Sequence, residues 1–142
     1  MTQNKLDISR ATEAVKASRF VEALSLLESN LAKDPNHIDS LYLAAVCSRY
    51  LKNYDDSKKY IESLLSKAPD MGRAYQELGH LNRDTGNGEN AIAHYRQACE
   101  LNPALLSSWK ALYDYFERNK NKPAADHAFM QMNTLQSIPS IL

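Results

Sequence analysis

The chain has 142 residues, enough for one domain that buries roughly two-thirds of its unfolded surface. Lysine and arginine total 17, as do aspartate and glutamate, so the formal net charge is zero. This balance favours neither nucleic acid nor an anionic membrane as a partner, and no run of 18 apolar residues predicts a membrane span. We therefore predict a cytoplasmic protein.

A constant interval of 34 residues separates Pro35, Pro69 and Pro103, and intervals of this length are typical of helical repeats. Twelve residues before each proline, and once beyond the last, lies a small residue: Ala23, Ser57, Ala91 and Ala125. A second column holds large residues at the same interval: Leu27, Ile61, Tyr95 and Phe129. The interval divides the chain into four units, residues 4–37, 38–71, 72–105 and 106–139.

Each unit is predicted to contain two helices, with turns near residues 18–19, 52–53, 86–88 and 120–122 in chain order. The first unit has the weakest helical pattern, because Asp7 and Arg10 occupy apolar positions of its opening helix. The third has the clearest one, since apolar residues from Ala74 to Leu81 and from Ala91 to Leu101 recur at spacings of three and four. Strand alternation is absent, so the pattern predicts an all-α solenoid.

Gly86-Asn87-Gly88 has the composition of either a phosphate-binding loop or a helix–helix turn. A phosphate loop follows a strand and precedes a helix N-terminus, which directs backbone N–H groups at the anion. The residues before Gly86 have a helical pattern, and glycine and asparagine are common turn residues. The sequence therefore predicts a turn.

Residues that catalyse reactions or bind metals are sparse. Cys47 and Cys99 lack CxxC spacing, the four histidines form no metal-ligand motif, and no nucleophile can be paired with a base. The two cysteines also fall in helices that are not neighbours in a solenoid, which argues against a disulfide. We predict two free buried thiols, no metal, no cofactor and no enzymatic activity.

The third unit resembles the motif of the tetratricopeptide repeat family, and the resemblance extends over residues 4–137. The matching residues are Tyr75, Leu78, Gly79, Ala91, Tyr95, Ala98 and Pro103, and Asn82 departs from the motif. The fourth unit matches at Trp109, Leu112, Phe116, Ala125 and Phe129, with Tyr113 in place of the glycine and Ser137 in place of the proline. The resemblance implies one domain, a right-handed α-solenoid of four helix pairs, in which these aromatic residues pack between helices.

In this family the first helices line a concave groove that binds a peptide segment of a partner protein. The positions that would line it here are Tyr42, Val46, Arg49, Arg73, Gln76, His80, Arg83, Lys110, Asp114 and Glu117. Arginine near the second and third repeats predicts an acidic partner segment, and a solvated face without a partner is the alternative. The two-carboxylate clamp of chaperone-binding relatives is absent, because Ile8 and Thr12 occupy its first-repeat positions.

We therefore predict a protein–protein interaction scaffold that has no nucleic-acid or membrane partner. One alternative is the N-terminal recruiting module of a larger enzyme, because Trp109-x-x-Leu112 and the closing Leu135-x-x-Ile138-Pro139 loosely resemble repeat arrays of bacterial sulfotransferases. Another is a homodimer through the C-terminal end, where Met132, Leu135 and Ile138 have no polar capping helix. Residues 138–142 are predicted to begin a further helix or a tail.

Overall fold

The computed structural model describes the backbone of residues 2–137 and the side chains of residues 8–137. Over these residues the chain forms eight α-helices and no strand, which confirms the predicted all-α repeat fold. The helices are α1 (Thr2–Lys16), α2 (Phe20–Lys33), α3 (Ile38–Tyr50), α4 (Tyr54–Lys67), α5 (Gly72–Asp84), α6 (Gly88–Leu101), α7 (Leu106–Arg118) and α8 (Lys122–Gln136). All four predicted turns lie between the two helices of a pair, except that Gly88 and Lys122, the last residues of two of them, begin α6 and α8.

The chain divides after Asp70 into two compact units. Unit 1 contains α1 to α4, and unit 2 contains α5 to α8. Each odd-numbered helix packs against the even-numbered helix that follows it, and α2 and α6 also pack against α3 and α7 of their own units. Each unit therefore contains two helix pairs with a shared apolar interior.

The turn within each helix pair has the same backbone geometry at the 34-residue interval. One residue adopts a positive φ, namely Ser18, Lys52, Gly86 or Lys120. The N–H of the following residue donates a hydrogen bond five residues back, as from Asn87 to the Asn82 carbonyl at 2.7 Å and from Asn53 to the Ser48 carbonyl at 2.8 Å. This arrangement ends a helix with its last carbonyls satisfied. Gly86 is thus part of a helix–helix turn that follows a helix, which confirms the turn prediction.

The column of small residues lies in the interior of the helix pairs. Ala23, Ser57, Ala91 and Ala125 are all buried. Ser57 is the one polar member, and its hydroxyl donates a 2.9 Å hydrogen bond to the Ala45 carbonyl of the neighbouring helix. A buried hydroxyl is tolerated when it is bonded, so serine replaces alanine here without an unsatisfied polar group.

The column of large residues is buried in three repeats and exposed in the fourth. Leu27, Ile61 and Tyr95 are buried, whereas Phe129 is 47% exposed, so the prediction of core packing is wrong for Phe129. The first-helix position opposite is Gly79 in the third repeat but Tyr113 in the fourth, and the Tyr113 and Phe129 rings lie 5.8 Å apart. Two large residues cannot share the space that Gly79 leaves for Tyr95.

Cys47 and Cys99 are both buried thiols, as predicted. Burial raises the pKa of the Cys99 thiol to about 12. Because the thiolate is the reactive form, this raised pKa lowers the reactivity of the Cys99 thiol near neutral pH. Cys99 packs in the buried cluster that contains Ala91 and Ile92 of α6 and Leu112 of α7.

Candidate peptide-binding surface

The three predicted groove residues of unit 1 lie on α3, and two of them are buried. Val46 and Arg49 are 8% and 6% exposed, whereas Tyr42 is half-buried. The Arg49 guanidinium lies 4.5 Å from the centroid of the Tyr50 ring. A long side chain of this kind buries its stem and much of its head, which a helical wheel does not predict. Val46 and Arg49 therefore offer little exposed surface.

In unit 2 the exposed members of the predicted set carry charge. Arg73 and Arg83 are exposed on α5, and Lys110, Asp114 and Glu117 are exposed on α7. Helices α5 and α7 contact each other directly. The basic residues and the two acids therefore lie on neighbouring helices of one compact unit.

Gln76 and His80 are half-buried, and each makes a structural hydrogen bond. Gln76 Oε1 accepts a 2.8 Å hydrogen bond from the Ser108 hydroxyl on α7. His80 Nδ1 lies 2.7 Å from the Tyr95 hydroxyl on α6 and shares a hydrogen bond with it. Both residues therefore hold helices of unit 2 together, in addition to lying at predicted groove positions.

A cavity of about 130 Å³ lies between α5, α6 and α7. It brings together two of the predicted residues, Arg83 and Asp114. The other lining residues come from α6 and α7 and were not predicted: Gly88, Ala91, Ile92, Tyr95, Ala111, Tyr115 and Arg118. The one sequence signal for Arg118 is its position four residues after Asp114, which places both on the same face of a helix.

Tyr95 forms part of the cavity wall, and its position depends on Gly79. A Cβ atom at residue 79 would lie 2.6 Å from Tyr95 Cε1, which is closer than real contacts of this kind. The absence of that atom lets the ring pack directly on α5, where its hydroxyl reaches His80. Gly79 and His80 therefore hold Tyr95, one of the residues that line the cavity, in place.

The two arginines that line the cavity differ in their partners: Arg83 forms an ion pair, and Arg118 bonds to a main-chain carbonyl. Arg83 forms an ion pair with Asp84, with 3.1 Å between Nη2 and Oδ1. Arg118 donates from Nε to the main-chain carbonyl of Asp114 at 3.3 Å. Among residues 8–137, whose side chains are described, Arg118 forms no ion pair, so its charge is available to a ligand.

Among the residues described, no three His, Cys, Asp or Glu side chains are grouped closely enough to hold a metal ion. No helix in the same part of the chain is both long and apolar enough to span a bilayer.

Comparison with known proteins gives matches over most of the chain. Two sequence profiles described as tetratricopeptide repeat match residues 14–81 and 72–105. A curated relative, the chloroplastic tetratricopeptide repeat domain-containing protein PYG7 of Arabidopsis thaliana, is 25% identical over 122 residues. The match includes 83% of this chain but 40% of the relative, so the chain spans less than half of that protein.

Among solved structures, MamA from Desulfovibrio magneticus RS-1 superposes with a TM-score of 0.75 at 19% identity. That match includes 96% of this chain and 77% of the MamA chain. An O-GlcNAc transferase variant from Thermobaculum terrenum gives a TM-score of 0.76 at 20% identity, over 81% of this chain and 22% of the transferase. At these identities the structures establish a shared fold.

Helix pairs at a 34-residue interval, with repeated turns and a repeated column of small residues, define the class of protein as a helical-repeat interaction scaffold. The two profile matches together include more than half of the chain. The chain belongs to the tetratricopeptide repeat family.

Proposed function

We propose that unit 2 binds a segment of a partner protein on the surface formed by α5 and α7, and that this segment is acidic where it meets the basic residues. The α5–α7 surface consists of Arg73, Gln76, His80, Arg83, Lys110, Asp114 and Glu117. The observation that carries the proposal is the cavity bordered by Arg83 and Asp114, because it adds an apolar recess to a charged surface. Recesses with a few convergent charged groups are the usual form of a binding site.

The charges on this surface favour one kind of ligand and one direction of binding. Guanidinium groups bind carboxylates through charge-assisted, often bidentate hydrogen bonds. Asp114 and Glu117 favour a basic or hydrogen-donating residue further along the segment. Because exposed charges govern association rate and specificity, binding should weaken as salt is added.

A pull-down from lysate of the source cell tests the proposal. Arg73→Glu/Lys110→Glu reverses two exposed charges on the surface, and Lys58→Glu/Lys59→Glu reverses two exposed charges on α4 as a matched control. We expect wild type and the α4 control to recover the same proteins, and the surface variant to lose them. Equal recovery by all three proteins would overturn the proposal.

A second candidate function is a recruiting module of a larger enzyme, such as a sulfotransferase. The observation that favours an enzyme-linked module is the superposition on 22% of an O-GlcNAc transferase chain, together with the match to 40% of the curated relative. Sequencing the gene on both sides of these 142 codons tests it. A catalytic domain in the same reading frame would support the module, and stop codons on both sides would exclude it.

A homodimer through the C-terminal end stays a prediction. Met132 and Leu135 are half-buried, Phe129 and Met130 are 47% and 66% exposed, and Ile138 lies outside the described residues. Exposed apolar side chains on one helix are typical of a contact surface. Sedimentation of wild type and Phe129→Lys/Met130→Lys would separate a dimer through α8 from a monomer.

A further inference from the structure

The cavity between α5, α6 and α7 combines an apolar interior with charged residues at its border. Attraction between charges alone would need no such apolar interior. We propose that the cavity is a selectivity pocket that takes one leucine-sized apolar side chain of the partner segment, next to a carboxylate that Arg118 binds. This inference rests on the proposed function and specifies the local chemistry of the partner.

The volume and the lining of the cavity fit one side chain. The cavity measures about 130 Å³, and an apolar cavity of roughly 150 Å³ is large enough to hold a benzene molecule. Its inner wall consists of the buried residues Ala91, Ile92 and Tyr95. An apolar side chain that enters it leaves water for an apolar wall, which is favourable in proportion to the area buried.

The cavity is accessible from solvent and has a fixed shape. The lining residues Arg83, Gly88, Asp114 and Arg118 are exposed, so a ligand can reach it without opening the fold. The Tyr95 ring is held by close packing on Gly79 and by its hydroxyl contact with His80. A wall that is already ordered costs little further entropy when a ligand binds.

Charge decides which residue accompanies the apolar one. The Arg83 guanidinium is already paired with Asp84, whereas Arg118 has only a main-chain acceptor at Nε. The terminal nitrogens of Arg118 can therefore donate two hydrogen bonds to a carboxylate beside the cavity. Asp114 on the same helix repels a carboxylate at its own position, which limits the acidic residue to the Arg118 side.

Selection from a random dodecapeptide phage library tests this inference. Wild type should enrich peptides with leucine, isoleucine or methionine next to aspartate or glutamate. Gly88→Leu adds a large side chain to the cavity lining. Apart from the adjoining residues and the backbone of α6 itself, no atom lies within 4 Å of a Cβ at residue 88, so the fold should be retained. Arg118→Gln removes the charge, and Lys58→Gln on α4 is its control.

We expect Gly88→Leu to bind a selected wild-type peptide roughly tenfold more weakly and to enrich smaller residues at the apolar position. Arg118→Gln should lose the acidic preference and keep the apolar one, and Lys58→Gln should keep both. If Arg73→Glu/Lys110→Glu abolishes selection while Gly88→Leu and Arg118→Gln leave the consensus unchanged, the selectivity pocket is wrong and the proposed function stands. If every peptide that wild type enriches is also enriched by Arg73→Glu/Lys110→Glu, or if wild type enriches none, the selectivity pocket and the proposed function are both wrong.

Discussion

Gly79 is the residue on which the packing of the third repeat depends. Its missing Cβ lets the Tyr95 ring approach α5, and in the fourth repeat, where Tyr113 takes this position, Phe129 is displaced towards solvent. Glycine is otherwise unfavourable inside a helix by about 1 kcal/mol relative to alanine. Its presence near the middle of α5 is therefore explained by packing rather than by helix propensity.

We predict that Gly79→Ala destabilises the protein, although alanine is the better helix former. The added Cβ would lie 2.6 Å from a ring that is 1% exposed and cannot move aside freely. Overpacking typically costs about 1 to 3 kcal/mol and the gain in helix propensity offsets about 1 kcal/mol of it, so we expect a net loss of up to about 2 kcal/mol in the free energy of unfolding. Urea denaturation followed by circular dichroism measures it.

Gly88→Ala is the matched control, because no atom beyond the adjoining residues and the backbone of α6 lies within 4 Å of a Cβ at residue 88. It should leave the free energy of unfolding unchanged or raise it by up to about 1 kcal/mol. A higher urea midpoint for Gly79→Ala than for wild type would contradict the packing explanation.

His94 should make stability depend on pH in a defined direction. Burial lowers the pKa of His94 below its ordinary value of 6.5, and its Nδ1 has no hydrogen-bond partner among the described residues. Below about pH 6.5 the unfolded chain therefore binds more protons at this site than the folded chain does. The stability contributed by neutral His94 is complete above that pH and is lost as the pH falls.

The measurement is the urea midpoint of wild type and His94→Gln at about pH 7.5 and about pH 5.5. We expect the midpoint of wild type to fall more steeply towards acid than that of the variant. Identical falls for the two proteins would show that His94 does not carry the pH dependence.

The turns within the four helix pairs share a backbone conformation that their amino-acid sequences do not indicate. All four use a residue with positive φ, but only the third repeat has glycine there. A left-handed conformation costs a non-glycine residue roughly 1 to 2 kcal/mol. Lys52→Gly and Lys120→Gly should therefore stabilise the protein by up to about 1 kcal/mol, once the added flexibility of the unfolded chain is subtracted.

The reverse substitution, Gly86→Ala, should cost about 1 kcal/mol, because its φ of 83° is strained for alanine although the surrounding space is open. Thermal melts of the three variants compare these effects directly. Stabilisation by Gly86→Ala would show that the turn does not need its left-handed residue.

The helix pairs could be predicted from sequence because their signal repeats. Three independent signals indicate where helices and turns lie: the proline interval, the column from Ala23 to Ala125, and the Gly-Asn-Gly turn. All three agree with the helix bounds to within one residue. The positive φ at Ser18, Lys52 and Lys120 could not be predicted, because neither serine nor lysine favours that conformation. At each of them the next residue donates the hydrogen bond that ends the first helix of the pair.

For the whole molecule, the binding surface was less predictable than the fold. Repeat position predicted that Arg73, Arg83 and Lys110 are exposed, but it did not predict the burial of Arg49 or the hydrogen bonds of Gln76 and His80. Those depend on side-chain conformations and on contacts between separate helices. The cavity needs residues from three helices, and no spacing along the chain indicates that they meet.

The division after Asp70 predicts where a destabilised variant opens. Ala91 is buried in unit 2 within the cluster that contains Tyr95, Leu112 and Ala125, and Ser57 has the same repeat position in unit 1. Leucine at either position overpacks a closed site, at a cost of about 1 to 3 kcal/mol. The stability of repeat proteins is approximately a sum of local and nearest-neighbour terms, so this cost should fall mainly on the altered unit.

Hydrogen exchange read by mass spectrometry tests this expectation peptide by peptide. Ala91→Leu should speed exchange in α5 to α8 by roughly 5- to 150-fold, the factor that corresponds to about 1 to 3 kcal/mol, with a smaller change in α1 to α4. Ser57→Leu should give the opposite distribution, which makes each variant the control for the other. Equal acceleration across all eight helices in both variants would show that the chain opens as one cooperative body, because only then would a local cost be shared by every amide.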